Sequence, residues 1–133
     1  MIPEINCPIE READIVIARQ KGRELCSAIG FSNTDRTLVA TAISEVARNI
    51  VRYAQRGEVL LGRAESGGRT GIVVVARDNG PGIAEPELAM RDGYSTGNSL
   101  GLGLPGAKRL MDEFELVSAP KAGTTVTMRK WLR

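Results

Sequence analysis

The chain has 133 residues, of which 42% are hydrophobic and 26% charged, values typical of a globular domain. It contains no run of about 18 apolar residues that would predict a transmembrane helix, and its first residues lack the features of a signal peptide. The net charge of +2 gives little support for a nucleic-acid binder held by bulk electrostatics. We therefore predict a single cytoplasmic domain over residues 1–133, with neither nucleic acid nor a membrane as a partner.

Two residue types limit the possible chemistry further. The chain has no histidine, which excludes Ser-His-Asp and Cys-His catalysis, nearly all zinc enzymes and a phosphohistidine intermediate on this chain. Its two cysteines, Cys7 and Cys26, lack metal-ligand spacing, so we interpret them as small buried or half-buried residues in a reducing compartment.

The first third of the chain predicts an edge strand and two helices. The strand covers Glu4–Ile9, where flanking prolines favour an edge position. The first helix covers Glu10–Ile29 and stops at Gly30. Residues near 3.6-residue spacing predict its buried stripe, and Ile15 falls off that stripe. The predicted stripe consists of Ala13, Val16, Ile17, Leu25 and Ile29.

The second helix begins after three capping-type residues, Ser32-Asn33-Thr34, and continues to about Ala54. After it the period of the apolar residues changes from 3.6 to 2, which predicts strands over 58–63 and 71–78 joined by a turn at 66–69. The second strand is apolar throughout its middle, so we expect it to be central and covered by helices on at least one face.

The remaining chain is rich in glycine, with seven of the 15 glycines between Asn79 and Gly106. Glycine permits unusual backbone angles and close approach of the backbone to a ligand. Four further elements are predicted in this part: short helix 86–91, helix 104–112, and strands 115–119 and 124–131.

The segment Asp78-Asn79-Gly80-Pro81-Gly82 directly follows the apolar strand. One interpretation is a turn that ends the strand, since these are all turn residues. The other is a ligand site, in which the Asp78 carboxylate accepts a hydrogen bond from an exocyclic amino group such as that of adenine. Gly80 and Gly82 would then let the backbone approach a flat base.

The segment Gly101-Leu102-Gly103-Leu104-Pro105-Gly106 matches the weak G-x-G-x-x-G pattern of dinucleotide sites. No strand precedes it as a dinucleotide domain requires, and no P-loop lysine follows the glycines. It is either a flexible surface loop or a phosphate site at a helix N-terminus, where free N–H groups and the helix dipole favour an anion.

The second helix carries Glu45, Arg48 and Asn49, of which Glu45 and Asn49 share a helix face. One interpretation is that Glu45 and Arg48 belong to a solvent-exposed polar strip of the helix. The functional one is that Asn49 binds Mg²⁺ through its carbonyl oxygen while Glu45 acts as a base. Because Mg²⁺ takes few protein ligands and completes its shell with phosphate and water, such a sparse site is chemically sufficient.

The order of these motifs, followed by Gly123-Thr124-Thr125, resembles the N box and three glycine boxes of the GHKL ATPase superfamily over residues 33–131. The resemblance implies an α/β two-layer sandwich with helices on one face of a mixed sheet, and ATP and Mg²⁺ as cofactors. It makes Glu45 the catalytic base and Asn49 the metal ligand, with Asp78, Gly82 and Thr125 at adenine. The implied nucleotide-binding residues are Asn49, Asp78, Gly80, Gly82, Gly93, Ser95, Thr96, Gly101, Leu102, Gly103 and Thr125.

Within the superfamily, residues 92–96 and 101–114 are most similar to the serine/threonine protein kinases that act as switch proteins of the bacterial stressosome. That resemblance implies phosphorylation of STAS-domain anti-sigma-factor antagonist proteins and activation of a metal-dependent protein phosphatase. The alternatives are an anti-sigma factor, a nucleotide-binding module without catalysis, and the catalytic domain of a histidine kinase. The last would lack both its phosphoacceptor histidine and its dimerisation helices.

Overall fold

The computed structural model describes residues 4–80, 103–118, 121 and 123–133. The predicted helix 86–91 lies outside these residues. The described elements follow in chain order as β1 (Ile5–Ile9), α1 (Glu12–Ile29), α2 (Asn33–Tyr53), β2 (Gly57–Ser66), β3 (Arg69–Asp78), α3 (Gly103–Leu110), β4 (Glu113–Ser118) and β5 (Thr124–Trp131). Every element predicted within the described ranges is present.

The strands form one five-stranded sheet in the order β1-β2-β3-β5-β4. The edge position of β1 and the central position of β3 confirm both predictions. All four pairings among the described strands are antiparallel, where a mixed sheet had been expected. A short turn joins β2 to β3, and only five residues separate β4 from β5 in the chain. Connections this short can join only antiparallel neighbours.

The helices pack on one face of this sheet, which confirms the two-layer prediction. Alternate residues of the strands, such as Leu61, Val74 and Met128, share one apolar cluster with the helices. On the opposite face a smaller cluster surrounds Val73 and Trp131. No helix in the described part of the chain is long and apolar enough to span a membrane.

The buried stripe of α1 differs from the predicted one. It consists of Ile15, Ala18, Gly22, Leu25, Cys26 and Ile29. Ala13 is exposed, and Val16 and Ile17 retain 47% and 48% of their accessible surface. The actual stripe includes a glycine and an alanine, whose small side chains allow α1 to approach α2 closely, and such residues give no strong hydropathy signal.

Local signals fix the end of α1 and the start of α2 as predicted. Gly30 ends α1 in the left-handed region with φ 113°, and the Ser32 hydroxyl accepts the N–H of Asp35 at 3.1 Å to cap α2. The chain therefore reverses within three residues, and α2 packs between α1 and α3.

Cys7 and Cys26 are both buried and free, which confirms their interpretation as core residues. Burial raises the pKa of both thiols, that of Cys26 to about 12. Both side chains are therefore neutral and unreactive near pH 7.

Candidate functional site

Glu45 joins the second half of α2 to the beginning of α3. It is only 5% exposed, and its Oε2 accepts the backbone N–H of Gly103 at 2.7 Å. Its Oε1 forms an ion pair with Arg48, one turn further along α2. The interpretation of Glu45 as part of a solvated strip is therefore wrong, although Arg48 is partly exposed.

A buried carboxylate is costly unless donors or positive charges surround it. Here Arg48 supplies a full charge, and the first N–H group of α3 supplies the positive end of a helix dipole. Gly103 has φ 68°, a conformation that favours glycine at this position. The N-terminus of α3 is thus directed toward negative charge on α2.

Asp78 lies at the end of β3 and begins a tight turn. Its Oδ1 accepts the backbone N–H of Gly80 at 2.9 Å, so the predicted turn is present. The turn and a ligand site are compatible, because an ionised carboxylate offers about four acceptor positions. Asp78 therefore retains the capacity to accept a hydrogen bond from a ligand.

Close backbone packing holds this turn against α2 and β5. A Cβ atom added to Gly80 would lie 2.6 Å from the Cβ of Ala54, at the end of α2. A Cβ atom added to Gly123, which has φ 77°, would overlap the carbonyl oxygen of Asp78. The ends of α2 and β3 and the start of β5 therefore meet at Asp78.

The strand register assigns different positions to two adjacent threonines. Thr124 pairs with Asp78, whereas Thr125 pairs with Arg77. Since successive strand residues point to opposite faces, Thr124 shares the helix-covered face with Asp78 and Thr125 lies on the other. Thr124 is 6% exposed, and its hydroxyl lies 2.8 Å from that of Ser118. The register thus favours Thr124 over the predicted Thr125 as the neighbour of a ligand at Asp78.

Asn49 lies on α2 between the contact of Glu45 with Gly103 and the packing of Ala54 against Gly80. It is half-buried on α2, one turn beyond Glu45 and before Ala54. At about 1.5 Å per residue, Glu45 and Ala54 are about 13 Å apart along the helix. The amide oxygen of Asn49 fits Mg²⁺, and the carboxylate of Asp78 fits an amino-bearing base. The N–H groups at the start of α3 fit phosphate. The other predicted nucleotide-binding residues, which are Gly82, Gly93, Ser95, Thr96, Gly101 and Leu102, lie outside the described residues.

Comparison with known families identifies the class to which this arrangement belongs. Residues 10–130 match the family model of the histidine kinase-like ATPase domain. The chain belongs to this family, which confirms the predicted superfamily. It is 47% identical over 125 residues to the serine/threonine-protein kinase RsbT of Bacillus subtilis (strain 168), and the match covers 94% of each chain. The predicted resemblance to serine/threonine protein kinases is thereby also confirmed.

A second group of relatives is more distant. The anti-sigma F factor of Halalkalibacterium halodurans is 30% identical over 105 residues, which are 74% of this chain and 70% of that protein. Both the identity and the coverage are lower than for the kinase, so the kinase resemblance is the stronger one.

Two solved structures share the fold. A Mycobacterium tuberculosis structure with RsbU and RsbW domains gives a TM-score of 0.61 at 22% identity, over 98% of this chain and 34% of that one. The mycobacterial sensor histidine kinase MprB gives 0.57 at 15% identity, over 96% and 97%. They confirm the fold, while a single domain over residues 1–133 stays a prediction.

Proposed function

We propose that the protein is an Mg-ATP-dependent serine/threonine protein kinase that phosphorylates STAS-domain anti-sigma-factor antagonist proteins. The observation that carries the proposal is the 47% identity to a serine/threonine kinase over 94% of both chains. The buried Glu45 and the half-buried Asn49 on α2, together with the Asp78 carboxylate at the end of β3, support it.

In this proposal the turn after β3 recognises adenine. The Asp78 carboxylate accepts a hydrogen bond from the exocyclic amino group, while the same oxygen would repel the carbonyl oxygen of guanine. Thr124 lies beside it on the same face of the sheet, and Gly80 lets the turn pack closely against Ala54 at the end of α2. Gly82 completes this part of the proposed site. Thr124 takes the role at adenine that the sequence had suggested for Thr125.

The second half of α2 and the start of α3 hold the other end of the nucleotide. Asn49 binds Mg²⁺, and Gly103 with the proposed loop residues Gly93, Ser95, Thr96, Gly101 and Leu102 donates N–H or hydroxyl groups to phosphate oxygens. ATP supplies the phosphoryl group that is transferred.

Glu45 acts as the base that takes the proton from the substrate hydroxyl. In the structure both of its oxygens are engaged, one by Gly103 and one by Arg48. Each oxygen keeps a further lone pair, so the carboxylate can accept the proton while the Gly103 N–H holds it in place.

The proposal extends to regulation. After phosphorylation the substrate carries about −1.5 to −2 additional charge next to Glu45 and the nucleotide phosphates, which weakens its binding. The released kinase then activates a metal-dependent protein phosphatase in the stressosome pathway. We place this cycle in the cytoplasm, where Cys7 and Cys26 remain thiols.

The test combines the purified protein, Mg-ATP, a candidate STAS-domain protein and a candidate sigma factor. We expect phosphate on a serine or threonine of the STAS-domain protein, detected by mass spectrometry, and no stable complex with the sigma factor. The more distant anti-sigma relatives define the second candidate function. Stable capture of the sigma factor without phosphate on the STAS-domain protein would favour that function instead.

A further inference from the structure

The outer face of α1 has features that the proposed active site does not use. Val16 and Ile17 are two large apolar side chains that remain about half exposed on one turn. Val16 also lines a groove of about 520 Å³ between α1 and the start of α2. The charged residues that line this groove are Arg19, Arg23, Glu24 and Arg36. We refer to it as the arginine groove.

Neutral partners hold two of its guanidinium groups in place. Arg23 donates to the Thr37 hydroxyl at 3.1 Å and to the Asn33 side-chain oxygen at 3.4 Å. Arg36 donates to the Ser27 hydroxyl at 3.0 Å, and its Nε is buried without a hydrogen-bond partner in the described part of the chain. These contacts orient both groups without neutralising their charge, which leaves them suited to bind carboxylates.

From this combination we infer that the arginine groove docks an acidic, amphipathic segment of a partner protein. Carboxylates of the segment pair with Arg19, Arg23 and Arg36, which provide three positive charges against the single negative charge of Glu24. Apolar side chains of the segment cover Val16. A protein fits better than a nucleic acid because an apolar patch adjoins the charges and the whole chain carries a net charge of only +2.

The groove is separate from the proposed active site. Arg36 precedes Glu45 by nine residues on α2, which is about 13 Å along the helix. Docking therefore does not depend on phosphoryl transfer, and its test is independent of the kinase proposal.

The experiment uses a random 12-residue peptide library displayed on phage. The library is panned against the full-length protein after depletion on the Arg23→Glu/Arg36→Glu double variant. We expect enrichment of sequences that combine Asp or Glu with Leu, Ile or Val. A synthetic peptide of the enriched sequence should bind with its nuclear magnetic resonance shift changes centred on α1 and the start of α2.

Single variants then assign the contacts. Arg19→Gln, Arg23→Gln and Arg36→Gln should each weaken peptide binding about tenfold, as expected for a lost charge-assisted hydrogen bond. Lys21→Gln is the matched control, because Lys21 is exposed on the same helix but does not line the groove. Thermal melts check that each variant folds. Because Arg19 is exposed, its variant keeps the test valid even if the Arg23 and Arg36 variants fail to fold.

Three outcomes would overturn the inference. They are enrichment without acidic residues, equal loss of binding in the Lys21 variant, and tighter binding of a single-stranded oligonucleotide than of the peptide at the same groove.

Discussion

Asp78 is the residue proposed to recognise the base, and its carboxylate lies where β3, β5 and the end of α2 meet. Asp78→Asn replaces an acceptor oxygen by a donor and leaves the adenine amino group mismatched. We expect ATP binding to weaken by about 1–3 kcal/mol. Calorimetric titration with ATP measures this loss. Glu115→Gln, at an exposed carboxylate of β4, is the control and should bind ATP normally.

Glu58 provides a pH-dependent contribution to stability on the sheet face away from the helices. Its carboxylate accepts hydrogen bonds from Arg77 and from Asn6. The hydrogen bond from Arg77 is the main cause that lowers the pKa of Glu58 below its ordinary value, with a smaller contribution from Asn6. The resulting stabilisation is present above the unfolded-state pKa and is lost as the pH falls through the lower folded-state pKa.

Glu58→Gln should therefore destabilise the protein at pH 7 and make little difference at a pH below the folded-state pKa. The pair is partly exposed, so we expect less than about 1 kcal/mol. Urea unfolding of both proteins at pH 7 and in acid measures the difference. An equal difference at both pH values would show that the carboxylate charge does not contribute.

At the scale of elements, two isoleucines in one turn of α1 lie on opposite faces. Ile15 is 4% exposed in the core, whereas Ile17 is 48% exposed. Ile15→Ala should lower the free energy of unfolding by about 2–5 kcal/mol, and Ile17→Ala should change it by less than about 0.5 kcal/mol. Urea unfolding of the two variants makes the comparison. The reverse order would mean that α1 is rotated relative to the structure.

Two glycines with left-handed backbone conformations offer a second matched comparison. Gly67, with φ 56°, has open space around it, whereas a Cβ atom at Gly123 would overlap the backbone of Asp78. Both alanine variants incur the left-handed penalty of about 1–2 kcal/mol. Gly123→Ala must also move β5 away from Asp78, so we expect a larger loss of stability and weaker ATP binding. Equal losses in the two variants would argue against tight packing at Asp78.

The sequence predicted those elements whose signals are local. Gly30 and Ser32 marked the turn between α1 and α2, and two adjacent glycines marked the β2–β3 hairpin. The buried face of α1 was predicted correctly only at Leu25 and Ile29, because Ala18 and Gly22 belong to it through contact with another helix. Strand alternation at Thr124 and Thr125 was also missed, although it follows from pairing with Asp78. The burial of Glu45 depends on Gly103, which is 58 residues away in the chain.

At the scale of the whole molecule, α2 connects two surfaces of different character. Its first turns help to form the arginine groove, and its second half carries Glu45 and Asn49. Glu45, the residue proposed to accept the proton, also fixes the position of α3. A variant that removes only one of these two roles therefore separates proton transfer from the positioning of α3.

Glu45→Gln is that variant, because the amide oxygen of glutamine can still accept the Gly103 N–H but the side chain cannot take up a proton. The measurement is the single-turnover rate of phosphoryl transfer from Mg-ATP to a STAS-domain protein, with ATP affinity determined in parallel. We predict a rate about 10²–10⁴-fold lower than that of the wild type, with ATP affinity unchanged. Transfer by Glu45→Gln at the wild-type rate would contradict the role of Glu45 as the base.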